Sequence, residues 1–321
     1  MAVRRVTIFG GSGFIGRHLV RRLAAEGCIV RVAVRDPEAA VFLKPLGEPG
    51  QIVIRRADIT DQKQVETVVA GSEELVNLVG ILYERGQRTF ERLHVEAPRR
   101  LARLCKAIGV KRFVHVSALG ASETSIARYA RSKAVGERVI RDNFPDAVIF
   151  RPSVVFGPED DFFNRFAALA RLSPVLPVLT NDIINGTGTR FQPVYAGDVA
   201  DALMQGLTNP ACSGKTYELG GPKVYTMRDI LDLILRETAR RRLVVPVPFW
   251  VGRLKARLLQ YLPTPPLTPD QVALLQTDNV LSGTLPGFEA LGLAPVAPEA
   301  IVPTYLDRYR PPYSRFTPRA E

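Results

Sequence analysis

Residues 10–16 read GGSGFIG, directly after the apolar run Val6–Phe9 and directly before a helical pattern that continues to Ala25. A strand, a glycine turn and a helix in that order leave few folds open. Gly11 and Gly13 are expected to let the backbone turn sharply, and Gly16 to let the helix pack close on the strand. The helix start then presents unpaired N–H groups to a negative charge, which is what a dinucleotide pyrophosphate needs. The motif is weak when it stands alone, but here it sits in the structural context that gives it meaning.

A second apolar strand, Ile29–Val34, ends in Arg35, 19 residues after Gly16. At this position Asp or Glu suits a ribose 2′-hydroxyl. Arg suits a 2′-phosphate, with which a guanidinium makes two charge-assisted hydrogen bonds. Arg17 is placed to join it. Asp36 is adjacent, but strand alternation points it the other way. The pairing favours NADP(H) over NAD(H), against the alternative of a surface Arg in an Arg-rich chain.

The first 157 residues alternate strand and helix. Strands are expected at Val3–Phe9, Ile29–Val34, Ile52–Arg56, Leu75–Val79, Arg112–Val116 and Ala147–Phe150, and helices at 14–25, 61–70, 90–108 and 125–143. This predicts an α/β, doubly wound parallel (Rossmann) sheet with its ligand at the carboxyl ends of the strands. Asp58 and Asn77–Gly80 fall on that rim, where adenine and ribose are expected. After Pro158 the pattern becomes Pro-rich and irregular. The expected division is a nucleotide-binding domain at 1–157, rejoined by 190–222, and a smaller, mainly helical lobe from 158–189 and 223–321.

Chemistry gathers around Tyr129-Ala-Arg-Ser-Lys133. An i, i+4 pair shares one helical face, so phenol and ammonium can point into one site, where the ammonium is expected to lower the phenol pKa. Ser117, at the end of the strand before, is placed to orient a carbonyl or hydroxyl. Tyr-x-x-x-Lys by itself also describes many solvated helix faces. The preceding Ser and the glycine turn tilt the reading toward hydride transfer, with Ser117, Tyr129 and Lys133 as the catalytic set.

GGSGFIG, HVSALGA (115–121), YARSKAVGE (129–137) and RPSVVFGP (151–158) together resemble the short-chain dehydrogenase/reductase superfamily in its extended or atypical branch. The resemblance implies cofactor contacts from Gly10, Gly11, Ser12, Gly13, Phe14, Ile15 and Gly16, and from Arg35, Asp58, Val79, Ser117, Lys133 and Pro152. Longer blocks at 77–98, 128–167 and 192–203 are similar to the nucleotide-binding accessory subunit of respiratory complex I, in its bacterial form, since no mitochondrial extension precedes the first strand. That resemblance implies tightly held NADPH used structurally, and complex I subunits as partners. It also implies a peripheral place on the cytoplasmic side of the bacterial inner membrane, or on the matrix side for a processed eukaryotic chain. The alternative is an active NADPH-dependent reductase or epimerase on a small hydrophobic or quinone-like substrate. Only 12 residues separate Ser117 from Tyr129, which shortens the loop that shapes a sugar pocket and weakens the epimerase reading.

Forty-three Lys and Arg against 32 Asp and Glu give a net charge of +11. That excess favours an acidic partner, an anionic membrane or acidic ligands. No nucleic-acid motif accompanies it. Cys28, Cys105 and Cys212 have no paired spacing and read as reduced, and His18, His94 and His115 have no ligand spacing, so no metal is expected. His115, in an apolar strand, reads as a satisfied core residue. No apolar stretch approaches the ~20 residues that span a bilayer.

Between Glu237 and Asp270 no acidic residue occurs, while Arg240, Arg241, Arg242, Arg253, Lys255 and Arg257 do. Trp250, Leu254 and Leu258 fall on one helical face. This stripe reads either as core of the second lobe or, with Arg253, Lys255 and Arg257 beside it, as an anionic membrane contact.

Overall fold

The computed structural model describes residues 4–312. The chain forms two compact units. The first comprises the chain up to Pro152, Ala196–Leu219 and Gly283–Leu293. The second comprises Ser153–Tyr195, Gly220–Ser282 and the chain from Ala294.

The first unit is built on a seven-stranded sheet. Its strands are β1 (Arg5–Phe9), β2 (Ile29–Val34), β3 (Ile52–Arg56), β4 (Glu74–Asn77), β5 (Arg112–Val116), β6 (Val148–Pro152) and Thr216–Leu219. From one edge the order is β3-β2-β1-β4-β5-β6 and then Thr216–Leu219, with every neighbouring pair parallel. The expected doubly wound Rossmann sheet is therefore present. Its order reverses between β1 and β4, and ligands bind at such a reversal in open α/β sheets. The strands are near-continuous apolar runs because helices cover both faces. Phe9, Leu75, Leu101, Phe113 and Ile140 lie in one of its buried clusters.

Helices α1 (Phe14–Ala25), α2 (Gln62–Val69), α3 (Ala97–Ile108) and α4 (Arg128–Asn143) flank the sheet, together with the helix Ala196–Thr208. The third was expected as one helix over 90–108. Instead Glu91–Glu96 is a wider π turn that leads into α3 at Ala97. One inserted residue swings the His94 carbonyl toward α4, where a Cβ on Gly136 would stand 2.1 Å from it. The first strand begins at Arg5 rather than Val3, and Val3 lies outside the described residues. Cys28, Cys105 and Cys212 are buried free thiols.

The second unit packs helices Phe163–Leu172, Met227–Glu237 and Pro298–Leu306 against a two-stranded parallel ribbon of Val175–Thr180 and Leu243–Pro248. Phe156, Phe163, Leu176, Ile230, Ile234 and Val302 are buried in its core. Buried Asp160 accepts hydrogen bonds from Tyr305 Oη at 2.7 Å and from the Gly157 and Asn164 amides, fixing the last helix. The helix Phe249–Leu259 lies on this unit with Phe249, Gly252 and Ala256 inward. Trp250, Leu254 and Leu258 are 68%, 56% and 73% exposed. The stripe is therefore not core, because the face that packs against Leu179 and its neighbours is the one carrying Phe249, Gly252 and Ala256. No helix among the described residues is long and apolar enough to cross a membrane.

Candidate functional site

The glycine turn lies at the carboxyl end of β1, beside Leu78 and Val79 at the end of β4. Gly10 has φ +83°, a left-handed conformation that makes the sharp turn expected of Gly11 and Gly13. Gly11 serves packing instead, since a Cβ there would stand 2.7 Å from Val32. Gly13 takes the N-cap of α1, whose first turn (Phe14, Ile15, Gly16) carries no acidic side chain. A Cβ on Gly16 would lie 2.3 Å from the Gly10 carbonyl oxygen and 2.6 Å from Gly11 backbone atoms. Ser12 is half-buried in the turn. The turn is thus an open cradle of backbone N–H groups, and its shape fits an anionic phosphate.

Arg35 is exposed just past β2. Asp36 does not face the cradle: its carboxylate accepts from the Glu38 and Ala39 amides at 3.1 and 3.3 Å and starts the 3₁₀ segment there. Arg17 lies over the ring of Phe42, 4.9 Å from the centroid. Asp58 follows β3 and accepts from the Thr60 amide and hydroxyl at 2.8 and 2.7 Å. Burial works to raise its pKa, but the Thr60 bonds, with Arg35 and Arg92, hold it below the usual carboxylate range. Asn77 accepts from the Val79 amide at 3.1 Å and pairs with His115 Nδ1 at 3.1 Å. His115 is accordingly a satisfied core residue, kept neutral by burial and by Lys133.

The Ser, Tyr and Lys set occupies the carboxyl end of β5 and the first turns of α4. The Ser117 hydroxyl is buried with no hydrogen-bond partner among the described residues. Lys133 is 4% exposed and donates to the Val116 carbonyl at 3.2 Å. Its ammonium is 6.0 Å from the Tyr129 ring centroid. Pro152, buried at the end of β6, accepts from the Leu119 amide at 2.9 Å and holds the segment after Ser117.

The electrostatics differ from expectation. Burial raises the Tyr129 phenol to about 12 and lowers Lys133 to about 8, the latter partly opposed by Glu137. The ammonium was expected to lower the phenol, but desolvation of the phenolate dominates.

His94, on the π turn, joins the site without any signal in the sequence. Nδ1 is 2.9 Å from Ser132 Oγ, and Nε2 accepts from the Ile81 amide at 3.0 Å. Ser132 Oγ in turn donates to the Tyr129 carbonyl at 2.7 Å, and the imidazole meets the Tyr129 ring edge-on at 5.5 Å. Burial and Lys133 keep the ring neutral, so it accepts from Ile81 and ties the β4 loop to α4. Nothing in residue spacing announces this role, which depends on the inserted π residue.

A parallel doubly wound sheet, with a glycine turn at its reversal and Ser117, Tyr129 and Lys133 on the same rim, defines a Rossmann-like fold. The chain belongs to the NAD dependent epimerase/dehydratase family, which matches residues 6–220. Along almost its whole length it is also similar to subunit 9 of the NADH dehydrogenase (ubiquinone) 1 alpha subcomplex, mitochondrial, of Rattus norvegicus. That relative is 36% identical over 306 residues, covering 95% of this chain and 80% of that one. A ceramide reductase of Caulobacter vibrioides is 36% identical over 199 residues, covering 62% of this chain and 59% of that one. In fold, a Thermus thermophilus UDP-glucose 4-epimerase complexed with NAD superposes with a TM-score of 0.71 at 21% identity, covering 95% of this chain and 98% of that one.

Proposed function

We propose that the chain is an NADPH-binding accessory subunit of respiratory NADH:ubiquinone oxidoreductase (complex I) that holds its nucleotide mainly for stability. The observation that carries this reading is the similarity to the mitochondrial NADH dehydrogenase subunit over 95% of the chain. The site fits such a group, given the cradle that a Cβ on Gly16 would close and the orphaned Ser117 hydroxyl. Gly10–Gly16 would hold the pyrophosphate and Arg35 the 2′-phosphate. Asp58 and Val79 would hold the adenosine side, and Ser117, Lys133 and Pro152 the nicotinamide side. Diversion of Asp36 into a backbone cap removes the carboxylate that would favour NAD, which supports NADP(H). A ligand that binds only the folded state stabilises it by mass action, so retention alone justifies the site.

In this reading the protein sits peripherally on the cytoplasmic face of a bacterial inner membrane, or on its matrix-side equivalent. The exposed Trp250, Leu254 and Leu258, with Arg253, Lys255 and Arg257 beside them, would touch an anionic leaflet. Arg240 and Arg242 are engaged elsewhere, donating to the Tyr309 and Ala170 carbonyls at 3.1 and 2.8 Å.

A second reading, an active NADPH-dependent reductase on a small hydrophobic or quinone-like substrate, is favoured by the intact Ser117, Tyr129 and Lys133 and by the Caulobacter relative named a reductase. When bound, the nicotinamide would supply or accept hydride, while Tyr129 Oη would exchange the proton that Ser117 helps position. Tyr129→Phe separates the two readings. As an accessory subunit the variant keeps its bound nucleotide and its place in the complex, whereas an enzyme whose turnover the cell needs loses its function.

A further inference from the structure

The short loop after β4 links the two ends of the candidate site. At its start the Leu78 backbone backs the glycine turn, where a Cβ on Gly10 would stand 3.2 Å from the Leu78 carbonyl carbon. Asn77 fixes that end by accepting from the Val79 amide at 3.1 Å, and the Leu78 amide donates to the Phe9 carbonyl at 2.9 Å. Two residues on, Gly80 lies against Lys133: a Cβ there would stand 3.2 Å from Nζ and 3.7 Å from His94 Nε2. This end is fixed by His94, whose Nε2 accepts from the Ile81 amide at 3.0 Å. That bond settles the tautomer of the neutral ring. Nδ1 carries the proton and donates to Ser132 Oγ at 2.9 Å, and Ser132 in turn donates to the Tyr129 carbonyl at 2.7 Å. Phe90, stacked on the imidazole at 5.3 Å, and Tyr129, edge-on at 5.5 Å, hold the ring plane.

We propose that His94 is a positioning residue for the nicotinamide half of the bound dinucleotide, holding the Gly80 backbone against Lys133 while Asn77 separately holds the cradle end. This rests on the reading that the chain holds NADPH between the glycine turn and Lys133. The ammonium donates to the Val116 carbonyl on the β5 side at 3.2 Å, and Gly80 closes the β4 side. Release of Ile81 from His94 opens that side. A neutral imidazole suits the task, because it accepts from a backbone amide and donates to a hydroxyl at once, with no added charge beside an ammonium. Its place depends on the π turn, which brings His94 to α4, and on Gly136, where a Cβ would stand 2.1 Å from the His94 carbonyl oxygen. Separate anchors at the two ends of one loop predict a split effect. Loss of His94 frees the Lys133 end and leaves the glycine turn intact.

The test is calorimetric titration of the full-length chain, freed of nucleotide, with NADPH and NADH and with adenosine 2′,5′-bisphosphate and AMP, which lack the nicotinamide half. His94→Phe keeps the ring contacts and loses both hydrogen bonds. It is expected to weaken NADPH about 10-fold, with the bisphosphate within about twofold, and to change the fluorescence of bound NADPH. His94→Gln, which returns an acceptor for the Ile81 amide, is expected to recover most of the loss. Ser132→Ala, which removes only the partner of Nδ1, should show the same split at about threefold. Equal loss for NADPH and the bisphosphate marks the ring as merely structural and overturns the proposal, as does unchanged NADPH binding. A wild type that prefers NADH overturns the NADPH reading alone, since the split is then read with NADH against AMP. A wild type that binds neither dinucleotide overturns both.

Discussion

Replacing Lys133 with Met should stabilise the nucleotide-free protein at neutral pH, although Lys133 belongs to the candidate catalytic set. The ammonium is buried, and its pKa falls from 10.5 to about 8. At roughly 1.4 kcal/mol per pK unit, holding the proton at pH 7 costs the folded state about 3 kcal/mol relative to the unfolded chain. Met fills a similar volume without charge. It leaves the Val116 carbonyl without its donor, a loss of about 1 kcal/mol, so the expected gain is about 2 kcal/mol. Glu137 keeps its partner, because Arg151 grips it with two bonds of 2.8 and 2.7 Å.

The pH dependence gives the sharper check. Between pH 8 and 10.5 the folded Lys133 is neutral while the unfolded one is still charged. The unfolded state then binds more protons, so wild-type stability rises with pH through this window. The advantage of Lys133→Met should be full below pH 8 and gone near pH 10.5. Urea unfolding of both proteins at pH 7 and pH 10 measures it. A variant less stable than wild type at pH 7, or an advantage unchanged at pH 10, refutes the argument.

Two further substitutions probe other parts of the molecule. Gly16→Ala places a methyl group 2.3 Å from the Gly10 carbonyl oxygen, where only backbone could yield. It should cost about 3 kcal/mol and abolish dinucleotide binding, read by thermal melts with and without NADPH. The double change Trp250→Glu and Leu254→Glu alters exposed positions, so stability should stay within about 0.5 kcal/mol. Co-sedimentation with phosphatidylglycerol vesicles should fall at least ~10-fold, since each side chain contributes about 1.5–3 kcal/mol on burial. Unchanged co-sedimentation would remove the membrane contact.

Much of the first unit was legible because its signals are local. β2, β3, β5 and α1 fall within the expected boundaries, where apolar runs end at a glycine turn or a charged residue. The glycine turn followed from residue order, whereas Asp36 lies beyond the end of β2, where strand alternation does not apply and bonds to the Glu38 and Ala39 amides orient it. What stayed hidden depends on contacts distant in sequence. His94 reaches Ser132 and Ile81 only through the inserted π residue. The Tyr129 and Lys133 pKa values follow from burial, which an i, i+4 spacing does not report. In the second unit the helix Phe249–Leu259 shows a periodic stripe, but periodicity alone does not say which face turns inward. The face carrying Phe249, Gly252 and Ala256 turns inward.

The central claim is tested most directly by isolating the tagged chain from gently solubilised membranes of its native organism and identifying both the proteins and the nucleotide that come with it. The account predicts subunits of NADH:ubiquinone oxidoreductase, with NADPH at about one per chain, retained equally by Tyr129→Phe. Recovery of the chain alone, or with NAD in place of NADPH, would contradict it.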